Sequence, residues 1–215
     1  MLKGRFIDDS VRKWYCDNQH SPKETQLYIS LGIAREFDIS FKPYVFINLK
    51  KPFQIAGKEI TDIGVTIHNF DPHAAPQGKT VVTIMLPVSN TEYWVNMRDE
   101  NRAAYRSKKG EIAEKVIGEL ESYFGDIKEK VEMVDVATPA SYVRYAHNWY
   151  GAPSKWQDPD LLLNKPKKEV RGLKNFLMCG QWVGDGGLCG ASKSGRDIAQ
   201  ILCKKDGKKF TIIPF

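Results

Sequence analysis

Apolar side chains at every second position recur three times in the first half of this chain. Leu27, Ile29, Leu31 and Ile33 form one run, Ile63, Val65 and Ile67 a second, and Val82, Ile84 and Leu86 a third. Such alternation places one row of apolar groups on one side of an extended backbone, the signature of a half-buried strand. The residues between the runs contain no helix-length segment. Parallel neighbours need a long crossover, so the sequence predicts a mainly antiparallel sheet over residues 26–88. Pro72, Pro76 and Gly78 interrupt pairing between the second and third runs, and Gly57 offers a hairpin turn within residues 53–60.

The period then changes. Ile112, Val116, Ile117, Leu120, Tyr123 and Phe124 share one helical face, which predicts a long helix over residues 99–124 with Gly125 at its end. Glu111 and Lys115 have the spacing of a favourable pair on the opposite side. Residues 131–136 read as a strand. Thr138-Pro139 then gives a capping residue and a first-turn proline, so a helix over residues 140–146 is expected. After a stretch rich in proline and glycine, residues 175–180 read as a short, buried, apolar strand ending in Gly180. A glycine-rich turn follows, and then a helix over residues 190–203.

Composition narrows the class. The 215 residues include 32 Lys and Arg against 26 Asp and Glu, a net charge of +6. Acidic residues interrupt the densest basic clusters and no aromatics are interleaved with them, so nucleic acid is not an expected partner. A solvated surface or a basic rim against a membrane fits these clusters better. No apolar run approaches the ~18 residues of a bilayer span, and the first residues lack the apolar core of a secretory signal. Cys16, Cys179, Cys189 and Cys203 form no metal-ligand pair, so reduced thiols, a cytoplasmic location and no metal are expected.

Residues 180–202, GQWVGDGGLCGASKSGRDIAQIL, are the segment that carries chemistry. Glycines let a ligand approach backbone N–H groups, and the first turn of a helix adds unpaired donors and positive potential. The arrangement suits a phosphate or an electron-rich ring edge. It is not a dinucleotide-binding first turn. That pattern would need glycine at Cys189, a following βαβ unit and an acidic residue about 20 residues on. On composition alone, a glycine turn that merely packs a helix against a strand fits equally well.

Three segments, in order, carry a more specific signal: IHNFDPHAAPQGKTVVTIMLP at 67–87, VEMVDVATPASYVRYAHNWYGAPSKW at 131–156, and RGLKNFLMCGQWVGDGGLCGASKSGRDIAQILCKKDGKKF at 171–210. Together they resemble the phytoene desaturase and retinol saturase family of flavoproteins, within the amine-oxidase-like superfamily. The likeness runs from about residue 20 to the last residue. It implies an α+β chain: a mainly antiparallel substrate-domain sheet with a long helix, plus the C-terminal strand and helix of an FAD-binding domain. The expected division is residues 1–173 for part of the substrate domain and 174–215 for the FAD-domain segment. The family's N-terminal Rossmann part has no counterpart here, so the chain looks like the C-terminal portion of such an enzyme.

The resemblance further implies FAD as cofactor and hydrogen addition or removal at a carbon–carbon double bond of an apolar polyene. Gly180, Asp185, Gly186, Gly187, Leu188 and Ser194 would lie along the cofactor, with the helix from Gly190 aimed at the flavin's electron-rich edge. Gly184-Asp185 and Cys189 depart from the family pattern, which puts a direct flavin contact by Asp185 in doubt. Trp149, Tyr150 and Trp156 would line a polyene tunnel or pack between domains. His68 is a candidate on the sheet, since imidazole exchanges protons near neutral pH. No residue stands out as catalytic. The alternative is a non-catalytic remnant or subunit that binds an apolar ligand, or a partner chain carrying the missing Rossmann unit. Peripheral contact with a membrane suits either reading.

Overall fold

A computed structural model of the chain describes residues 25–148 apart from 39 and 41, residues 168–212 apart from 184 and 185, and Phe6, Asp9, Arg12 and Gly151. The chain divides into two compact units, Lys23–Pro153, and Met1–Pro22 together with Ser154–Phe215. The fold is α+β, with a five-stranded antiparallel sheet and four α-helices among the described residues.

The sheet belongs to the first unit. Its strands are β1 (Thr25–Ile33), β2 (Tyr44–Ile55), β3 (Lys58–Ile67), β4 (Thr80–Val88) and β5 (Val131–Ala137). They lie in the order β2-β3-β4-β1-β5, and every pairing is antiparallel, as the alternating runs predict. Ala56 and Gly57, both at positive φ, turn β2 into β3. A two-residue turn with this geometry matches the twist of the strands it joins. Alternation decides the core. Leu27, Ile29, Leu31 and Ile33 point to one face with Ile63, Val65, Ile67, Val82, Ile84 and Leu86, all buried.

That face packs on helices. The expected helix over residues 99–124 is two helices, α1 (Thr91–Glu100) and α2 (Arg102–Phe124), so its start moves to Arg102. Asn101 makes the break. Its N–H closes the last turn of α1 on the Met97 carbonyl at 2.9 Å, and its side chain accepts from Ala104 N–H at 2.9 Å to open α2. Ile112, Val116, Ile117 and Leu120 of α2 are buried as their spacing requires, whereas Tyr123 turns out to solvent. Glu111 pairs with Lys108 at 2.9 Å rather than with Lys115, because Lys115 lies over the Phe53 ring at 5.6 Å.

The end of α2 is densely satisfied. Gly125, at φ 64°, caps it as expected. Arg35 donates to the carbonyls of Phe124 and Gly125, and the Glu121 carboxylate accepts the N–H groups of Asp126, Ile127 and Lys128 at 3.1, 2.6 and 2.8 Å. After β5, helix α3 (Pro139–Ala146) begins with the expected threonine and proline. Ser141 Oγ accepts Thr138 N–H at 3.1 Å, and the Thr138 hydroxyl shares a hydrogen bond of 2.7 Å with Tyr105. The first strand is tied to the end of the unit by Thr25, whose hydroxyl donates to the Gly151 carbonyl at 2.5 Å. Gly151 has φ 59°, and a Cβ there would stand 2.5 Å from the Pro139 carbonyl oxygen, so only glycine fits.

In the second unit the expected strand over residues 175–180 is reduced to one antiparallel bridge, Glu169 with Leu177, supported by Met178 N–H on the Lys168 carbonyl at 2.8 Å. Asn175 at φ 58° and Gly180 at φ 105° leave the extended region at either end, which limits the ladder. The segment is half-buried rather than enclosed. Helix α4 (Gly187–Lys205) starts three residues before the expected Gly190.

Candidate functional site

The strand-turn-helix segment of the second unit gathers most of the motif residues. Ser194, on the second turn of α4, is buried, and its hydroxyl accepts Gly180 N–H at 3.3 Å. Ser194 thus closes the turn on the helix and uses its side chain in doing so. Gly186 is the N-cap, and no side chain caps the helix there; no acidic residue lies in its first turn. Among the described residues, no side chain takes up the first N–H groups of α4. A Cβ built on Gly180 or on Gly187 meets nothing within 4 Å, so open space stands over both, and Leu188 projects into solvent. Asp185, with Gly184, lies outside the described residues.

The segment is held by charge as well. Asp197 on α4 pairs with Lys168, and that hydrogen bond holds its carboxyl below the usual carboxylate range. Lys205 near the end of α4 pairs with Glu169 at 2.7 Å, so two successive residues on one side of the bridge are tied to the helix.

A second set of residues lies in the first unit, on the sheet face opposite the core. Strand register arranges them in rows. Phe46, Gly64, Met85 and Tyr28 stand side by side across β2, β3, β4 and β1. Tyr44, Thr66, Thr83 and Ser30 form the next row. Gly32 stands between Val81 and Met133 beyond them. Gly64, Thr66, Thr83, Ser30 and Gly32 make part of this face small or hydroxylated; Met85 and Tyr28 stand among them on β4 and β1, and Tyr44, Phe46 and Met133 lie on the outermost strands β2 and β5. Tyr44, Phe46, Met85 and Met133 are 49%, 64%, 46% and 57% exposed. The two aromatic rings meet edge to face and lean over Gly64, where a Cβ would come within 3.0 Å of the Tyr44 hydroxyl. Sequence reading missed this feature, since only knowledge of register joins residues so far apart in the chain.

His68 lies on the same face at the end of β3. Its Nε2 is 3.1 Å from the Thr83 hydroxyl, and its ring packs on Phe70 at 5.6 Å. The structure therefore gives His68 a polar partner beside these small residues. Trp149, Tyr150 and Trp156 lie outside the described residues. The described residues hold no group of three His, Cys, Asp or Glu able to bind a metal ion, and no helix long and apolar enough to cross a membrane.

No family model and no curated protein matches the chain.

Proposed function

We propose that this chain is the substrate-sheet and C-terminal portion of an FAD-dependent oxidoreductase resembling phytoene desaturases and retinol saturases, acting at carbon–carbon double bonds of an apolar polyene. The observation that carries this reading is the sheet face opposite the core, with its partly exposed small residues and exposed large apolar groups. A strip of small or hydroxylated residues, Gly32, Ser30, Gly64, Thr66 and Thr83, with the apolar groups Met85 beside it and Tyr44, Phe46 and Met133 on the outer strands, suits a long, thin, apolar molecule laid along it. Covering about 300 Å² of such surface would contribute roughly 7 kcal/mol before the costs of association.

The described motif residues fit a flavin. The start of α4 offers backbone N–H donors and the positive end of a 19-residue helix, and Gly180 and Gly187 leave room for a close approach. A bound flavin would supply the hydride exchange with the double bond. The chain's own part is to orient and to shield. Ser194 fixes the turn, α4 presents positive potential to an electron-rich edge, and the sheet face excludes water from the substrate. His68 and Thr83 offer a proton-bearing pair beside the strip.

The test is a pair of titrations on the full chain, FAD followed by flavin fluorescence and retinol followed by its own emission. Micromolar binding of both is expected. Gly187→Val should weaken FAD alone, since φ 77° disfavours a branched residue and its side chain would fill the space left for the cofactor. Phe46→Ser with Met85→Ser should weaken retinol alone. Retinol binding without any FAD binding would favour the non-catalytic apolar binder. Neither binding would sink both readings.

A further inference from the structure

We propose that the first unit carries an anion site, at the β5 edge of the sheet, that binds a phosphomonoester as its dianion. The site is a pocket of about 350 Å³ where α1, the first turns of α2, β5 and α3 meet. This volume is at the lower end of small-ligand pockets. Its lining carries five cations, Arg98, Arg102, Arg106, Lys109 and Arg144, against the single carboxylate of Asp135. The chain as a whole is far more evenly balanced, so the excess is local.

The cations are not consumed by pairing. Among the described residues, Arg98 reaches Asp99 at 2.8 Å, while Arg102, Arg106 and Arg144 have no carboxylate partner. Lys109 lies over the Tyr105 ring and Arg144 over the Tyr145 ring, contacts that orient a charge without neutralising it. The first turn of α2 holds no acidic residue, so its positive potential adds to theirs. Mutual repulsion among these groups is relieved by a bound dianion. Several guanidinium forks in one concavity match the oxygens of a phosphate better than a lone carboxylate would require. A single concavity with solvent-exposed arginines, rather than a stripe with stacking aromatics, argues for one phosphate group and against a nucleic-acid strand.

The phosphomonoester can be free or the headgroup of a lipid, and two arms distinguish these. In the first, glycerol 3-phosphate is titrated calorimetrically into the full chain. One site is expected, weakened about tenfold or more in Arg102→Ala/Arg106→Ala and separately in Arg144→Ala, and unchanged in Lys204→Ala/Lys208→Ala. In the second, the chain is sedimented with phosphatidylcholine vesicles that contain phosphatidic acid. Co-sedimentation reversed by glycerol 3-phosphate assigns the headgroup; binding of glycerol 3-phosphate alone assigns a soluble ester. The proposal is overturned by binding in neither arm, by binding that survives the arginine changes, or by equal loss in the lysine variant. Arg144→Ala leaves α2 untouched, so a folding defect in the double variant would not obscure the result.

Discussion

Glu121 shows how much a single side chain can organise. One carboxylate accepts three successive N–H groups beyond the end of α2 and so fixes the path from the helix to β5. The hydrogen bonds, that from Lys128 first, favour its charged form and lower its pKa below the ordinary 4.5. A depressed carboxylate stabilises the fold fully above the unfolded pKa, and the contribution is lost as pH falls through the folded value. The expected outcome is a melting temperature that drops as pH is lowered below about 4.5. Glu121→Gln should be less stable than wild type at neutral pH and should show a shallower acid dependence. Parallel slopes for the two proteins would show that other groups govern the acid limb.

At the scale of elements, the junction between α1 and α2 depends on Asn101. Replacing it by alanine removes the side-chain acceptor for Ala104 N–H and should cost about 1 kcal/mol, whereas Asn101→Asp should retain most of the stability. Chemical denaturation of the three proteins would measure this. The same junction shows what the sequence makes legible. Strong periodicity located β1, β3, β4 and the buried face of α2, because burial on one side forces a regular pattern. Helix α1 buries only Trp94 and so has no apolar stripe to read. Strand β2 was foreseen only at its hairpin end, since Tyr44, Phe46 and a run of lysines face solvent and blur its alternation. The turn before α4 was legible from its glycines, but the bridge strand was not. Apolar composition does not reveal that Asn175 and Gly180 leave extended geometry.

For the whole molecule, the exposed side of the sheet is the feature with the widest reach. It presents Tyr44 and Phe46 on β2, Met85 on β4 and Met133 on β5 to solvent, exposed apolar groups spread across the face. The folded chain should therefore enhance the emission of anilinonaphthalene sulfonate. Phe46→Ser with Met85→Ser should reduce the signal with little change in melting temperature, because neither side chain belongs to the core. Equal emission from both proteins would place the apolar surface elsewhere. The cationic pocket was as hard to foresee as this face. Its charges come from residues 98–109 and from position 144, and only folding makes them neighbours. The bond between Thr25 and Gly151 joins positions 126 apart, so the polypeptide enters and leaves the sheet unit through one doorway. To the chain outside, everything between is a detour that returns to its starting place. Such a detour can be shortened, enlarged or exchanged without redirecting what comes before or after, provided the threonine and the glycine that latch the door are kept.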